Sequence, residues 1–368
     1  MKYFIIAGEA SGDLHGSNLA TQLALFDSQA QLIGWGGDKM AEKGVVIKKH
    51  IRELAFMGFV EVLLNLRTIM RNFRLCKQQI IDFNPDALIL IDYPGFNLRM
   101  AEWAKKQNLK VIYYISPQVW AWKKSRVKKI RRDVDILFPI LPFEQEFFQN
   151  HGVETEYFGH PLIDAIEEFQ RTPPKTKLPT DKPILALLPG SRRQELKRML
   201  PLMLNASAKY KETHHIVIGA VSLLPAELYN TQGFDVSILA DQSYVLLSSA
   251  DAAFVKSGTS TLEAALFKVP QVVCYKANAL SVWIARKLVG KNIKYISLAN
   301  LIAGKEICTE LIQADLTVAN MNREMDKILF PSDSRKKMLS EYDLLYKQLG
   351  GVGAPARVAQ RIVEICSI

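Results

Sequence analysis

Cysteine is scarce and scattered in this 368-residue chain: Cys76, Cys274, Cys308 and Cys366 form no Cys-x-x-Cys pair. That excludes a zinc ribbon and a dense disulfide framework and fits a reducing cytoplasm. Long apolar runs are missing too. No stretch approaches the roughly 18 apolar residues of a spanning helix, and the start, MKYFIIAGEASGD, meets Glu9 and Asp13 too early for a secretory leader. There is no low-complexity tract and no repeat of short fixed period. The glycine-rich start carries neither the Gly-Lys-Ser/Thr of a Walker loop nor the Gly-x-Gly-x-x-Gly dinucleotide spacing. Acidic residues are in deficit, 37 against 47 Lys and Arg for a net charge of +10, which points to an anionic partner: nucleic acid, acidic lipid or a phosphorylated substrate.

What is present is an ordinary globular composition, 49% hydrophobic and 23% charged, enough for a sizeable core. The length suits two domains, with three as the upper count. Short apolar runs recur between helix-patterned segments: Tyr3 to Ala7, Ala87 to Ile91, Val111 to Ile115, Ile184 to Leu188, His215 to Ile218, Ala252 to Val255 and Gln271 to Cys274. Strands covered on both faces read this way, so the fold class is α/β with parallel sheets. The proline-rich segment RTPPKTKLPTDKP breaks both hydrophobic periods. The expected division is therefore residues 1–170 as a first domain, 171–183 as a linker, 184–349 as a second domain and 350–368 as a terminal helix. Two Rossmann-like domains facing a cleft follow, with ligands at the carboxyl ends of the strands.

Four loops carry candidate chemistry. After the first strand comes GEASGDLHGS, whose Gly8, Gly12 and Gly16 suggest a turn open to a ligand before a helix from Ser17 onward. Glu9, Ser11 and Asp13 are expected there as exposed polar groups; a purely structural turn is the alternative. In ALILIDYPGFN, Asp92 follows a buried-type strand and suits a general base, unless it only caps the next turn. In LLPGSRRQE, Gly190, Ser191 and Arg192 form an anion site from helix amides and a guanidinium, or else a solvated loop. In VKSGTSTLEAAL, the turn of Ser257, Gly258, Thr259 and Ser260 admits phosphate, and Glu263 can accept two ribose hydroxyls; a capping box from Ser260 to Glu263 is the competing use. No acidic Asp-x-Asp pair accompanies these loops, so phosphate binding without metal is expected.

Two segments suggest a surface. Leu54 to Leu66, LAFMGFVEVLLNL, is apolar apart from Glu61 and Asn65 and is followed by Arg67, Arg71 and Arg74 on one helical face. That is the pattern of an interfacial helix, or of a core helix with a basic edge. KKSRVKKIRR holds seven Lys or Arg behind Trp120 and Trp122, which suits an anionic bilayer. No RNA- or DNA-binding module accompanies it, so nucleic acid is not expected as partner.

AGEASGDLHGS, MGFVEVL, IDYPGFN, YYISPQVWAW, LPFEQEFF, FGHPLID, LLPGSRRQE, SGTSTLEAAL and SLANLIAG occur in an order that resembles the lipid-A-disaccharide synthases over almost the whole chain. The resemblance implies a GT-B fold with UDP held mainly by the second domain. It implies an inverting transfer of 2,3-diacylglucosamine from UDP-2,3-diacylglucosamine to 2,3-diacylglucosamine 1-phosphate, giving a β-1,6 disaccharide phosphate and UDP, with no cofactor and no metal. By motif, Asp92 matches the family's essential aspartate, Arg192 its diphosphate arginine and Asn300 its active-site asparagine; Glu263 looks like the ribose-binding glutamate, and Glu9 and Ser11 line the acceptor side. The family aspartate motif often continues with a second acid where this chain has Tyr93, Pro94 and Gly95, which favours Asp92 acting alone. The resemblance also implies peripheral attachment to anionic lipid on the cytoplasmic face of the inner membrane. Whether the terminal helix packs back on the first domain or exchanges in a homodimer is left open. Two other readings stand beside this one: a different GT-B enzyme acting on UDP-N-acetylglucosamine, either a transferase to a lipid-linked precursor or a 2-epimerase, and a basic binding protein without catalysis.

Overall fold

A computed structural model describes residues 1–54, 66–117, 119, 125–172, 180–231, 233–277 and 294–367. The chain divides into two compact units, residues 1–164 with 350–368, and residues 165–349. The division falls ahead of the proline-rich segment, of which residues 173–179 lie outside the described residues.

The N-terminal unit is built on six parallel strands, β1 (Lys2–Ala7), β2 (Gln31–Gly36), β3 (Val46–His50), β4 (Ala87–Ile91), β5 (Lys110–Tyr114) and β6 (Ile136–Phe138), in the order β3-β2-β1-β4-β5-β6. The C-terminal unit repeats that topology with β7 (Ile184–Leu188), β8 (His215–Ala220), β9 (Ser237–Ala240), β10 (Ala252–Lys256), β11 (Gln271–Tyr275) and β12 (Glu310–Ile312), ordered β12-β11-β10-β7-β8-β9. Both are doubly wound α/β units with the expected fold class.

The continuous apolar runs now have their cause. Successive side chains of a strand point to opposite faces, and both faces of the first sheet are covered. Phe4, Ile6, Leu88, Leu90 and Tyr113 pack on one side with Trp35, Phe73 and Phe148. Tyr3, Ile5, Ile89, Ile91 and Tyr114 pack on the other with Leu19 and Leu23 of the Ala10–Phe26 helix and Val358, Ala359 and Ile362 of the Ala354–Cys366 helix. In the second unit, Ile184, Ala186, Leu188, Ala253 and Val255 face Leu246, Leu247 and Ala264.

This topology fixes where a ligand can sit. In each sheet the strand order reverses between two neighbours, β1 beside β4 and β7 beside β10, and ligands of open α/β sheets bind beyond the carboxyl ends at that switch point. The four loops singled out in the sequence follow these four strands.

Candidate functional site

At the first switch point, β1 ends at Ala7 and the next helix begins at Ala10 with Glu9 as its N-cap. The helix thus starts seven residues earlier than its sequence pattern suggests. Gly12 and Gly16 are therefore helical and serve packing: a Cβ on Gly16 would lie 2.7 Å from Met40 Sδ. Only Gly8 belongs to the turn, where a Cβ would lie 2.3 Å from the Tyr93 ring, so the two switch-point loops touch because residue 8 has no side chain. Glu9 and Ser11 are exposed. Asp13, expected to be exposed, is instead 4% exposed. Its carboxylate accepts the backbone N–H groups of Gly37 at 2.6 Å, Lys39 at 3.1 Å and Met40 at 3.1 Å, satisfying the otherwise unpaired donors at the start of the Asp38–Glu42 helix.

Asp92 follows β4 in left-handed backbone, φ 43°, and so does Tyr93, φ 48°. Such a pair is costly for side-chain-bearing residues, and the surroundings hold it. The Asp92 carbonyl accepts from Tyr113 Oη at 2.6 Å and Asn97 Nδ2 at 2.8 Å. Tyr93, not Asp92, is the N-cap of the Pro94–Lys106 helix, so Asp92 sits one residue too early to cap it. Its half-buried carboxyl is pushed up to about 6, first by burial and then by the nearby negative charge of Glu9, against an opposing hydrogen bond from the Tyr93 backbone. Glu9, in the β1 turn, is thus a second carboxylate whose charge bears on Asp92. Tyr113 and Asn97, which hold the Asp92 carbonyl, went unremarked in the sequence; the continuous apolar run of β5 and the Pro-Gly turn carry no signal of that shared task.

At the second switch point, β7 leads to Gly190, left-handed at φ 107°, then Ser191 and Arg192, both exposed, and a helix from Arg193 to Ser207. Arg192 is its N-cap without a side-chain cap, so the first-turn amides lack intrahelical acceptors. From β10 the chain passes through Ser257 and Gly258 into the Thr259–Leu266 helix, with Gly258 as N-cap. Ser260 therefore lies inside the helix, and the capping-box use is not realised. A Ser260 hydrogen bond instead opposes the effect of burial on Glu263, whose carboxyl rises to about 7.

Two residues are committed elsewhere. Ser257 donates its N–H to the Cys274 carbonyl at 3.0 Å and its hydroxyl to that of Ile296 at 2.8 Å, leaving Gly258, Thr259 and Ser260 as the open part of that turn. Asn300 is fully buried. Its Nδ2 donates to the Cys308 carbonyl at 2.8 Å and Glu310 Oε1 at 2.9 Å, while Oδ1 accepts from Ile307 N at 2.8 Å and Cys308 N at 3.0 Å. Glu310 also holds the backbone of Ile296 and Ser297. Asn300 thus braces the segment that Ser257 and Thr261 grip, the latter through Leu298 N at 3.2 Å. The amide has no capacity left for a substrate.

Of the surface segments, residues 55–65, Trp120, Trp122, Lys123 and Lys124 lie outside the described residues. Arg67, Arg71 and Arg74 are all exposed on the Leu66–Phe83 helix. In the Ser125–Asp133 helix, Lys129 and Arg132 pair with Glu102 at 3.7 and 3.5 Å, so part of that basic run is neutralised within the unit. No helix among the described residues is long and apolar enough to cross a membrane.

Known proteins align with the whole chain. The lipid-A-disaccharide synthetase family model matches residues 3–356. Lipid-A-disaccharide synthase of Geobacter sulfurreducens is 35% identical over 99% of this chain and 97% of its own; that of Syntrophotalea carbinolica is 37% identical over 99% and 95%. Among solved structures, the calicheamicin glycosyltransferase CalG4 superposes with a TM-score of 0.60 at 16% identity, covering 100% of this chain and 98% of its own. UDP-GlcNAc 2-epimerase from Neisseria meningitidis, bound to UDP-GlcNAc, does so with a TM-score of 0.64 at 12% identity, covering 99% of both. At these identities the structural likeness speaks for the shared GT-B fold alone.

Proposed function

The chain belongs to the lipid-A-disaccharide synthetase family, and from that premise we infer that its two switch points divide the work of one inverting glycosyl transfer. The protein is a hexosyltransferase that moves 2,3-diacylglucosamine from UDP-2,3-diacylglucosamine to 2,3-diacylglucosamine 1-phosphate. Asp92 takes the proton of the acceptor 6-hydroxyl as that oxygen attacks the anomeric carbon, the carbon–oxygen bond to UDP breaks, and the sugar inverts. Burial, and after it the charge of Glu9, keeps the Asp92 carboxyl basic enough to accept a proton near neutral pH. Arg192, with the helix amides behind Gly190 and Ser191, balances the charge gathering on the leaving diphosphate. Gly258, Thr259 and Ser260 offer a second set of amides, and Glu263 accepts the ribose hydroxyls. Asn300 and Ser257 are positioning residues.

The observation that carries this reading is the half-buried Asp92 carboxyl held in left-handed backbone at the β1/β4 switch point, its carbonyl anchored by Tyr113 and Asn97, where burial first and the charge of Glu9 second push it up to about 6. UDP release tests it, measured in detergent micelles with EDTA on the acylated donor with its acceptor, against UDP-N-acetylglucosamine. Turnover of the acylated donor alone, lost in Asp92→Asn, is expected; turnover of the plain donor overturns the substrate assignment.

The acylated substrates place the enzyme at the cytoplasmic surface of a bilayer, where the exposed Arg67, Arg71 and Arg74 meet anionic headgroups. Replacing all three with Ser weakens co-sedimentation with anionic liposomes; unchanged sedimentation removes this face from the contact.

A further inference from the structure

Lys256 closes β10 between the two loops assigned to the diphosphate, and nothing in that assignment uses it. Its Nζ lies 2.7 Å from Glu195 Oε1, with both side chains largely shielded, 18% and 20% exposed. Glu195 belongs to the first turn of the Arg193–Ser207 helix, directly under the glycine turn: a Cβ on Gly190 would lie 2.6 Å from Glu195 Oε2. On the other side, a Cβ on Gly258 would lie 3.9 Å from Lys256 Nζ. One ion pair thus reaches from under one loop to under the other. Arg192 approaches the same carboxylate no closer than 3.9 Å and is 64% exposed, free to turn outward.

A carboxylate under an anion site works against the anion. At a few ångströms and intermediate polarity, such a charge weakens phosphate binding by an amount comparable to what one good contact supplies. Lys256 is placed to cancel that field, at the end of a strand whose neighbour, paired Leu188 to Val255, leads into the Gly190 loop. We propose that Lys256 is a positioning residue for the nucleoside diphosphate: it neutralises the Glu195 carboxylate beneath the Gly190 loop without touching the phosphates. This rests on the assignment of UDP to those loops.

The test is calorimetric titration of UDP into the full chain, with donor kinetics alongside. Lys256→Met weakens UDP about tenfold, an effect of the size of one lost charge interaction. It raises donor KM correspondingly, with kcat little changed, and Lys256→Arg restores most of the loss. The double variant Lys256→Met/Glu195→Gln regains most of the affinity, because the uncompensated carboxylate is gone. A Lys256→Met affinity within twofold of wild type overturns the proposal, and so does a double variant as weak as the single one, since Lys256 would then act on the phosphate itself. If Lys256→Met fails to fold, the double variant is compared with wild type, and an affinity about tenfold weaker overturns the proposal. Failure of the wild-type protein to bind UDP overturns the underlying function instead.

Discussion

Asp92→Asn separates what the site costs in stability from what it does. The Asp92 carboxyl rises from 3.8 to about 6 on folding, so the folded protein holds this proton more tightly than the unfolded chain. Stability therefore falls as pH climbs from 3.8 to 6, and the full penalty persists above that. Two units at about 1.4 kcal/mol each put it near 3 kcal/mol. Asparagine removes the charge, keeps the shape and tolerates left-handed backbone better than most residues, which the φ of 43° demands. For a unit made of residues 1–164 and 350–368, 3 kcal/mol corresponds to roughly 6–12 °C in melting temperature. Calorimetric melts of wild type and variant at pH 8 and pH 3.5, with activity measured at pH 8, test this. The expected result is an inactive variant that melts higher at pH 8, an advantage that vanishes at pH 3.5. An inactive variant with no gain at pH 8, or an equal gain at both pH values, refutes the buried-charge account.

The same electrostatics predict that Glu9→Gln lowers the Asp92 pKa, because a like charge is removed; the acid limb of the pH–rate profile moves to lower pH, and an unmoved limb means the two carboxylates do not communicate. Asn300→Ala strands the buried N–H groups of Ile307 and Cys308 and costs about 3 kcal/mol; the 165–349 unit melts earlier, whereas lost activity with unchanged melting would give Asn300 a direct role. His15 and His160 are buried, held down to about 4 and about 3 mainly by burial. An unfolded histidine takes its proton near 6.5, so their neutral burial stabilises the fold above that pH and the benefit is lost progressively below it; His160→Asn flattens the acid side of the stability profile, and an unchanged profile refutes this.

The sequence was most legible where physics was most local. All seven strands read from apolar runs are present, within two residues at each end, because two covered faces leave no room for polar side chains. The five that went unread are less distinctive: β6 and β12 have three residues each, β3 carries Lys48, Lys49 and His50, β9 is a half-exposed tetrapeptide, and β2 contains Gly34, where a Cβ would meet the Ile5 carbonyl at 1.9 Å. The loops were found because each follows a readable strand. Their internal order was not, since Gly12 and Gly16 look like turn residues and are helix-packing ones. The influence of Glu9 on Asp92 depends on β1 lying beside β4, and the bracing role of Asn300 depends on Glu310 and Cys308, so neither follows from spacing alone.

The last helix has a consequence for how the protein is made. Val358, Ala359 and Ile362 complete one face of the first sheet, and Asp164 accepts hydrogen bonds from Gly353 N at 2.6 Å and Ala354 N at 3.2 Å. A ribosome therefore emits the first 164 residues with that face covered only in part, by the Ala10–Phe26 helix, and must translate residues 165–349 before the rest of the cover exists. At 5–20 residues per second this is a wait of roughly 10–40 s. During that interval Leu19, Leu23 and their neighbours need shelter from other nascent chains. Chains ending near residue 350 would lack Val358, Ala359 and Ile362 from that face and be prone to aggregate.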